Sequence, residues 1–213
     1  MQIPETAREI RNTGRFGRAL LVMIALLLCL APARPVAAAD GAGVYWTRAA
    51  LLKSFFAHSD KVSYWRMEPD AAQRRTLTRR LGQAPPARIV VYYGLKAGAV
   101  QGLALLDDQM GQHQPISFAV LVGTDGKMKR LEVVAYREPR GHEIRGPRFR
   151  AQFRGKTAAD KLRLGHEIAA ISGATISARA MVIGVRRNLA VLDELVFKPG
   201  LASVLAARAA GAK

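Results

Sequence analysis

One amphipathic stretch near the C-terminus limits the folds that this chain can adopt. Its apolar residues recur in alternating steps of four and three, at Ala178, Val182, Val185, Leu189 and Leu192. This spacing places all of them on one side of an α-helix. Polar and charged residues occupy most of the remaining positions, so the sequence predicts a helix with one apolar face. Such a helix needs an apolar surface to pack against, which the rest of the chain must supply.

Four segments upstream of this helix have the composition of β-strands. They are residues 87–93, 100–106, 116–122 and 128–136. The last two flank Asp125-Gly126, and Asp-Gly between two apolar runs is a strong hairpin signal. The sequence therefore predicts an α+β fold, in which an antiparallel sheet of about four strands and flanking helices form a single domain.

The segments around these strands have weaker patterns. Residues 44–82 indicate two helices, with Tyr64 and Trp65 in the loop between them. Residues 137–170 show little regular pattern and are rich in arginine, which is typical of a long functional loop. We expect the alanine-rich tail, residues 201–213, to be disordered, and a place on a membrane surface is the alternative.

The N-terminal 39 residues have the pattern of a secretory signal. Four arginines precede an apolar run from Ala19 to Ala31, and small residues follow up to Ala39. Because a membrane span needs about 20 apolar residues, we expect export to the periplasm and cleavage near Ala39. An uncleaved anchor in the inner membrane is the alternative. Cleavage would also remove Cys29, the only cysteine, and with it any disulfide or thiolate metal site.

The charge of the chain is strongly positive. The sequence holds 33 lysine and arginine residues against 16 aspartate and glutamate residues, a formal net charge of +17. Residues 1–39 contain five basic and two acidic residues, so their removal leaves 28 against 14 and a charge of +14. Such a surface can bind nucleic acid, anionic lipid or an acidic protein. Since an exported protein seldom meets nucleic acid, we expect no nucleic-acid partner, and a membrane surface or an acidic protein instead. The alternative is that the arginines only cover solvated faces.

No motif of a common catalytic or metal site occurs in the sequence. The four histidines, His58, His113, His142 and His166, do not have the spacing of metal ligands. The chain also has no G-x-S-x-G, Walker or dinucleotide-binding motif. We therefore predict no catalytic residue and no metal site.

The residues directly before the amphipathic helix are small, flexible and hydroxylated. Ser172, Thr175 and Ser177 bring three hydroxyls to this spot, Gly173 permits a tight turn, and Ala174 adds little bulk. The start of a helix leaves backbone N–H groups unpaired and carries partial positive charge, so it can bind a phosphate. A plain helix cap and loop is the alternative, since these residue types are common in caps.

Three short motifs carry a resemblance to a known family. They are Ser172-Gly173-Ala174-Thr175, Arg137-Glu138-Pro139-Arg140-Gly141 and Phe153-Arg154-Gly155-Lys156. In this order they resemble the S-G-A-T motif, the E-x-P-G-type loop and the F-x-G-K segment of the FMN-binding domain family. That family includes the C subunit of the sodium-pumping NADH:quinone oxidoreductase and the G subunit of the Rnf complex. The resemblance covers about residues 87–195 and implies FMN as the cofactor. It also implies that a flavin transferase esterifies Thr175 with the FMN phosphate.

The resemblance suggests roles for the residues around Thr175. Ser172 and Gly173 would shape the turn, while Ser177 and Lys156 are candidates for contacts with the phosphate. Glu138 and Arg137 are candidates for the ring side of the flavin. Because cations beside a flavin ring favour its anionic reduced forms, we expect one or two arginines of residues 137–170 to contact the ring or the phosphate.

One position departs from the family pattern. Members usually carry an acidic residue three positions before the serine of the motif, where this chain has Ala169, and the transferase needs that residue. The nearest acid, Glu167, lies two residues too early.

Together these patterns predict an exported flavoprotein. After the signal segment, residues 40–86 would form a helical N-terminal part, residues 87–198 the FMN-binding core and residues 199–213 a tail. The protein would relay electrons between membrane and periplasmic redox partners, as a carrier rather than a stand-alone catalyst. The alternative is a non-redox basic module for anionic lipid or an acidic protein, in which the flavin site is degenerate.

Overall fold

The computed structural model describes residues 43–210, whose centre is a five-stranded antiparallel sheet. The strands are β1 (Lys61–Met67), β2 (Ile89–Lys96), β3 (Ala99–Met110), β4 (Pro115–Val122) and β5 (Met128–Ala135). They lie in this order across the sheet, and each neighbouring pair is antiparallel. The predicted α+β fold is confirmed, and the four predicted strands correspond to β2–β5. The predicted signal segment, residues 1–39, lies outside the described residues.

Strand β1 lies where the sequence predicts a loop, and that prediction is wrong. Its residues alternate in exposure, since Trp65 and Met67 are buried while Tyr64 faces solvent. Trp65 stacks on Tyr93 of β2 with ring centroids 4.3 Å apart. This cross-strand aromatic pair stabilises an edge strand that pairs with only one neighbour.

Helices cover both faces of the sheet. They are α1 (Arg48–Phe55), α2 (Ala71–Leu81), α3 (Pro147–Ala151), α4 (Thr175–Leu192) and α5 (Leu201–Ala210). Helix α1 covers one face, where the small residues Ala104 and Ala119 leave room for its apolar side chains. Helices α2 and α4 pack on the other face, within the larger core cluster. All of these elements belong to one compact unit, Ala42–Lys213.

Helix α4 is the amphipathic helix that the sequence predicts, and it begins at Thr175, three residues before the apolar stripe. All five stripe residues are buried. At Gly184 a Cβ atom would lie 2.4 Å from the Phe118 ring of β4. The absence of a side chain there lets the helix approach the sheet closely.

The chain stays ordered beyond α4. A π-helical turn at Asp193–Phe197 leads into α5, so the prediction of a disordered tail is wrong for residues 201–210. Val204 of α5 is buried in the main core. Arg80 of α2 also binds Asp193, with 2.6 Å between Nη1 and Oδ2. These contacts hold the C-terminal part on the domain.

The segment between β5 and α4 contains only two short helices, His142–Arg145 and α3, as its irregular pattern predicts. Phe149 and Phe153 anchor it in the core, edge to face at 5.5 Å. Within residues 43–210, no helix has both the length and the apolar character that crossing a membrane requires.

Candidate functional site

A tight turn leads into Thr175, the first residue of α4. The N–H group of Ala174 donates to the carbonyl of Ile171 at 3.0 Å, and Gly173 has a φ of +79°. Residues with a Cβ are strained at this φ, so the third position of such a turn favours glycine. A Cβ on Gly173 would meet no other atom within 4 Å. The backbone conformation, and not close packing, therefore requires glycine here.

The start of α4 has no side-chain cap, unlike the starts of α1 and α2. Thr47 and Asp70 cap those two helices from extended backbone conformations, with ψ of 152° and 175°. The N-cap residue of α4 is Ala174, with φ −120° and ψ 23°, and no side chain bonds to the first turn. The first N–H groups of a helix have no acceptor within it, so those of α4 remain available to an anion. The plain-cap interpretation is not supported.

The three hydroxyls of the cluster lie in different surroundings. Ser172 and Thr175 are exposed, whereas Ser177 is 5% exposed. Ser177 Oγ lies 2.7 Å from the Tyr136 hydroxyl, which itself donates to the carbonyl of Arg140. Ser177 must therefore donate to Tyr136. The prediction that the Ser177 side chain contacts the phosphate is wrong, because its hydroxyl is buried and already bonded.

This buried bond holds residues 137–141 against the start of α4. Gly141 has a φ of +92°, and a Cβ there would lie 2.4 Å from Ser177 Oγ and 2.5 Å from the Tyr136 hydroxyl oxygen. The 137–141 loop and the S-G-A-T motif, which are distant in sequence, are therefore neighbours in the fold. Arg137 and Arg140 are exposed on this loop. Arg137 therefore lies at the end of the domain that carries Thr175, and its place on the ring side of a flavin stays a prediction.

Glu138 binds the turn between β3 and β4. Its Oε1 accepts hydrogen bonds from the N–H groups of His113 at 2.6 Å and Gln114 at 2.9 Å. Desolvation raises the pKa of Glu138, but these N–H groups and that of Gln112 outweigh it and hold the pKa below its ordinary value. The carboxylate is therefore committed to the hairpin, and its predicted place on the ring side of a flavin is not supported.

Lys156 lies at the other end of β5 from this site. Its carbonyl accepts from the N–H of Met128, the first residue of β5, at 2.8 Å. Tyr136 follows the last residue of β5. Tyr136 follows Met128 after eight residue steps of extended chain (136 − 128), which corresponds to about 26 Å. The side chain of Lys156 points to Asp160, 3.9 Å away, so its predicted contact with the phosphate is wrong.

Two residues that the sequence did not single out share the exposed side of α4 with Thr175. Arg179 follows Thr175 by one helical turn, and side chains at this spacing are neighbours. It is exposed and has no ion pair or hydrogen bond with the part of the chain that the structure describes. Ile176 is 51% exposed. The sequence signal that could have identified Arg179 is its position four residues after Thr175 on a predicted helix.

The residues upstream of the motif do not compensate for Ala169. The N–H of Ala169 donates to Gln152 Oε1 at 2.6 Å, and its side chain is exposed. Glu167 binds the side chain and backbone N–H of Arg163, and these bonds lower its pKa from 4.5 to about 2. Glu167 is therefore engaged within its own loop.

The donor set around Thr175 fits a phosphate. An exposed hydroxyl, the uncapped N-terminus of an 18-residue helix and the unpaired Arg179 converge at one end of the domain. The two neighbouring arginines of the 137–141 loop add positive charge. This arrangement attracts an anion and offers it an oxygen nucleophile.

Comparisons with known proteins found a family model and a solved structure that resemble this chain. Residues 111–190 match the FMN-binding domain model, a range that runs from the β3–β4 turn to the second half of α4. The crystal structure of Shewanella oneidensis NqrC resembles this fold with a TM-score of 0.46 and 17% sequence identity. That alignment covers 74% of this chain and 88% of the other. No curated protein sequence matches the chain.

Proposed function

Residues 111–190 belong to the FMN-binding domain family, whose cofactor is FMN, and we propose that this protein is an electron-transfer flavoprotein with FMN esterified to Thr175. The observation that carries this proposal is the exposed hydroxyl at the first position of an uncapped helix. In the ester, Thr175 Oγ gives up its proton and forms a bond to phosphorus. A flavin transferase would supply an FMN phosphate in activated form, from which a leaving group departs.

The start of α4 would stabilise the phosphoester. A phosphodiester keeps one negative charge. The N–H groups and the positive end of the helix dipole would stabilise that charge by roughly 0.3–1 kcal/mol, and by up to about 2 kcal/mol where it is partly buried. Arg179, one turn further along, would add a charge-assisted contact. Neither side chain nor backbone has to be released from another partner first.

The other two hydroxyls are less suited to carry the cofactor. Ser177 is buried and bonded to Tyr136. Ser172 is exposed but lies in the turn before Ala174, outside the helix. Among the three, only Thr175 combines exposure with a place in the first turn of α4.

Bound FMN would supply a redox centre that takes up and releases electrons. The role of this chain would be to hold the cofactor and to set the charge around it. Arg137 and Arg140 stand on the loop next to the start of α4, and positive charge there would favour the reduced, anionic flavin. We expect this to raise the reduction potential.

The expected location and partners of the carrier follow from residues outside the site. The pattern of residues 1–39 favours export to the periplasm, with or without retention at the inner membrane. The net charge of +14 on the remaining chain favours acidic redox partners or the membrane surface. In that setting the protein would relay electrons between membrane and periplasmic partners.

Co-expression with a flavin transferase in the periplasm tests the attachment. We expect peptide mass spectrometry to find one FMN phosphoryl group on the peptide that contains Thr175. Thr175→Ala should abolish the modification, and Ser172→Ala should retain it as the matched control. If Ser172→Ala lost the modification while Thr175→Ala retained it, the ester would lie on Ser172 and the proposal would be refuted.

Ala169 is the observation that favours the second candidate, a non-redox basic module with a degenerate flavin site. Ala169→Asp restores an acid at the family position on an exposed residue, so it should raise the yield of flavin attachment if transferase recognition is impaired. The colour of the purified protein separates the two functions. Flavin absorbance bands support the carrier, whereas a colourless product from cells that contain the transferase supports the basic module.

A further inference from the structure

Strands β2 and β3 separate at one end of the sheet. Their paired residues end at Tyr92 and Ala104, although β2 begins at Ile89 and β3 continues to Met110. Beyond this point β2 remains paired with β1, and β3 remains paired with β4. The sheet therefore opens between two strands that each keep their outer partner.

A cavity of about 270 Å³ occupies this opening, with the second half of α4 along one side. Its volume lies close to the lower end of the range for small-molecule pockets, roughly 300–1,000 Å³. The apolar residues that line it are Pro86, Ile89, Val90, Leu105, Leu106 and Val191. A small molecule with an apolar body would fit between the strands.

Asn188 borders this cavity with an unsatisfied amide. The residue is 3% exposed, and its Nδ2 has no hydrogen-bond partner among residues 43–210. A buried polar group without a partner is destabilising, and native proteins have few of them. The χ2 torsion of asparagine is broad and soft, so the amide can turn its N–H toward a molecule in the cavity.

The charges around the cavity cancel. Two arginines and two aspartates are in its lining. Arg187 pairs with Asp107 at 2.8 Å and also donates to Gln109 and to the Asp108 carbonyl. Arg88 pairs with Glu68 at 3.0 Å. Both lining arginines are thus already paired, and the Asp108 carboxylate is exposed to solvent. The lining therefore offers an anion no free arginine, and its formal charges sum to zero.

We propose that this cavity binds an uncharged small molecule whose amide or lactam group hydrogen-bonds to Asn188 while its apolar part packs between the diverging strands. The amide of Asn188 can donate and accept, so a ligand group that does both complements it. Beyond Tyr92 and Ala104, β2 and β3 are not paired with each other. Their backbone N–H and C=O groups that face the opening can therefore form further hydrogen bonds with the ligand.

This site is separate from the FMN attachment at Thr175. Asn188 follows Thr175 in α4 after 13 residue steps (188 − 175), a distance of about 20 Å along the helix. A flavin ring on an extended ribityl chain reaches about 14 Å from a phosphate at Thr175, with bonds of ~1.5 Å. The cavity therefore binds its ligand whether or not flavin is attached, and the two proposals can fail independently.

Titration of the ¹⁵N-labelled protein with benzamide tests the site. We expect shifts of the backbone NMR signals of Ile89, Leu105 and Val191. The dissociation constant should be about 1 mM, as for a fragment of this size. Benzoate has the same shape but carries a charge, and it should bind at least tenfold more weakly. Asn188→Leu should lower the benzamide affinity at least tenfold.

Two control variants complete the experiment. Arg186→Gln changes an exposed residue of α4, two positions before Asn188, that does not line the cavity. Thr175→Ala removes the proposed attachment residue. Both variants should bind benzamide as the wild type does. Asn188→Leu should keep or raise the melting temperature, because it removes the unpaired amide. Equal binding of benzoate and benzamide, unchanged affinity in Asn188→Leu, or no shifts at the cavity in the wild type would each overturn the proposal. If Asn188→Leu does not fold, the wild-type shift map and the benzoate comparison decide.

Discussion

The buried bond between Tyr136 and Ser177 makes the placement of α4 measurable. Tyr136→Phe leaves the Ser177 hydroxyl buried without a partner, which costs about 1–3 kcal/mol. Ser177→Ala removes the donor to Tyr136, but the tyrosine still donates to the Arg140 carbonyl. That loss is smaller, about 0.5–1.5 kcal/mol. The double variant has no stranded serine, so its cost should be less than the sum of the two.

Urea unfolding of the four proteins, followed by far-UV circular dichroism, gives the coupling free energy. We expect about 1 kcal/mol, within the ~0.5–3 kcal/mol range of residues in direct contact. For a domain of this size each 1 kcal/mol corresponds to roughly 2–4 °C in melting temperature. Tyr64→Phe is the control, since Tyr64 is 47% exposed and its ring contacts survive in phenylalanine. Additive costs for Tyr136 and Ser177 would refute the argument that one hydrogen bond joins the loop to the helix.

Three further predictions concern charge. Glu132 is 7% exposed and binds both Arg130 and Arg150. Glu132→Gln should destabilise the domain by about 1–3 kcal/mol, and the loss stays in this range because both arginines are partly solvated. An unchanged urea midpoint would contradict this prediction. The bonds from Arg163 lower the pKa of Glu167 from 4.5 to about 2. Because the folded pKa is the lower one, their stabilisation is present above pH 4.5 and is lost as the pH falls to about 2. Glu167→Gln should therefore flatten the melting temperature against pH in that window, whereas a retained slope would assign it to other carboxylates. Flavin attachment at Thr175 should stabilise α4 by about 0.3–1 kcal/mol, with a gain in melting temperature that shrinks in high salt; a gain independent of salt would point to ring packing instead.

Local patterns in the sequence predicted most of the sheet. The runs that form β2–β5 have turn residues between them, and Ala97-Gly98 and Gly126 have the positive φ that their hairpins need. Strand β1 was missed because its run is short and three of its seven residues are lysine, serine or arginine. The helix after residue 200 was missed because alanine-rich sequence carries no strong apolar period, and only packing of residues such as Val204 shows its face.

The motif singles out Thr175 as the expected attachment residue, but it does not show which side chains lie beside it. Ser177 is two residues later, and two steps of about 100° turn it to the opposite, buried side of the helix. Lys156 and Thr175 both follow β5 in sequence. Only the hydrogen bond from the N–H of Met128 to the carbonyl of Lys156 shows that Lys156 returns to the far end of that strand. Glu138 was assigned to the ring because the sequence cannot show that the β3–β4 turn lies beside it.

Helix α4 leaves two hydrogen-bonding needs unmet, one at each of its halves. Its first turn has no cap, although the same chain caps α1 and α2 with Thr47 and Asp70, and a missing cap costs about 1 kcal/mol. Its second half buries the unpaired amide of Asn188, at a cost of about 1–3 kcal/mol. Twelve of its 18 residues are buried, so the apolar stripe can offset both penalties. Local rules of stability tend to be broken where a protein binds something. The helix that fixes the fold is thus also the element on which ligands would act.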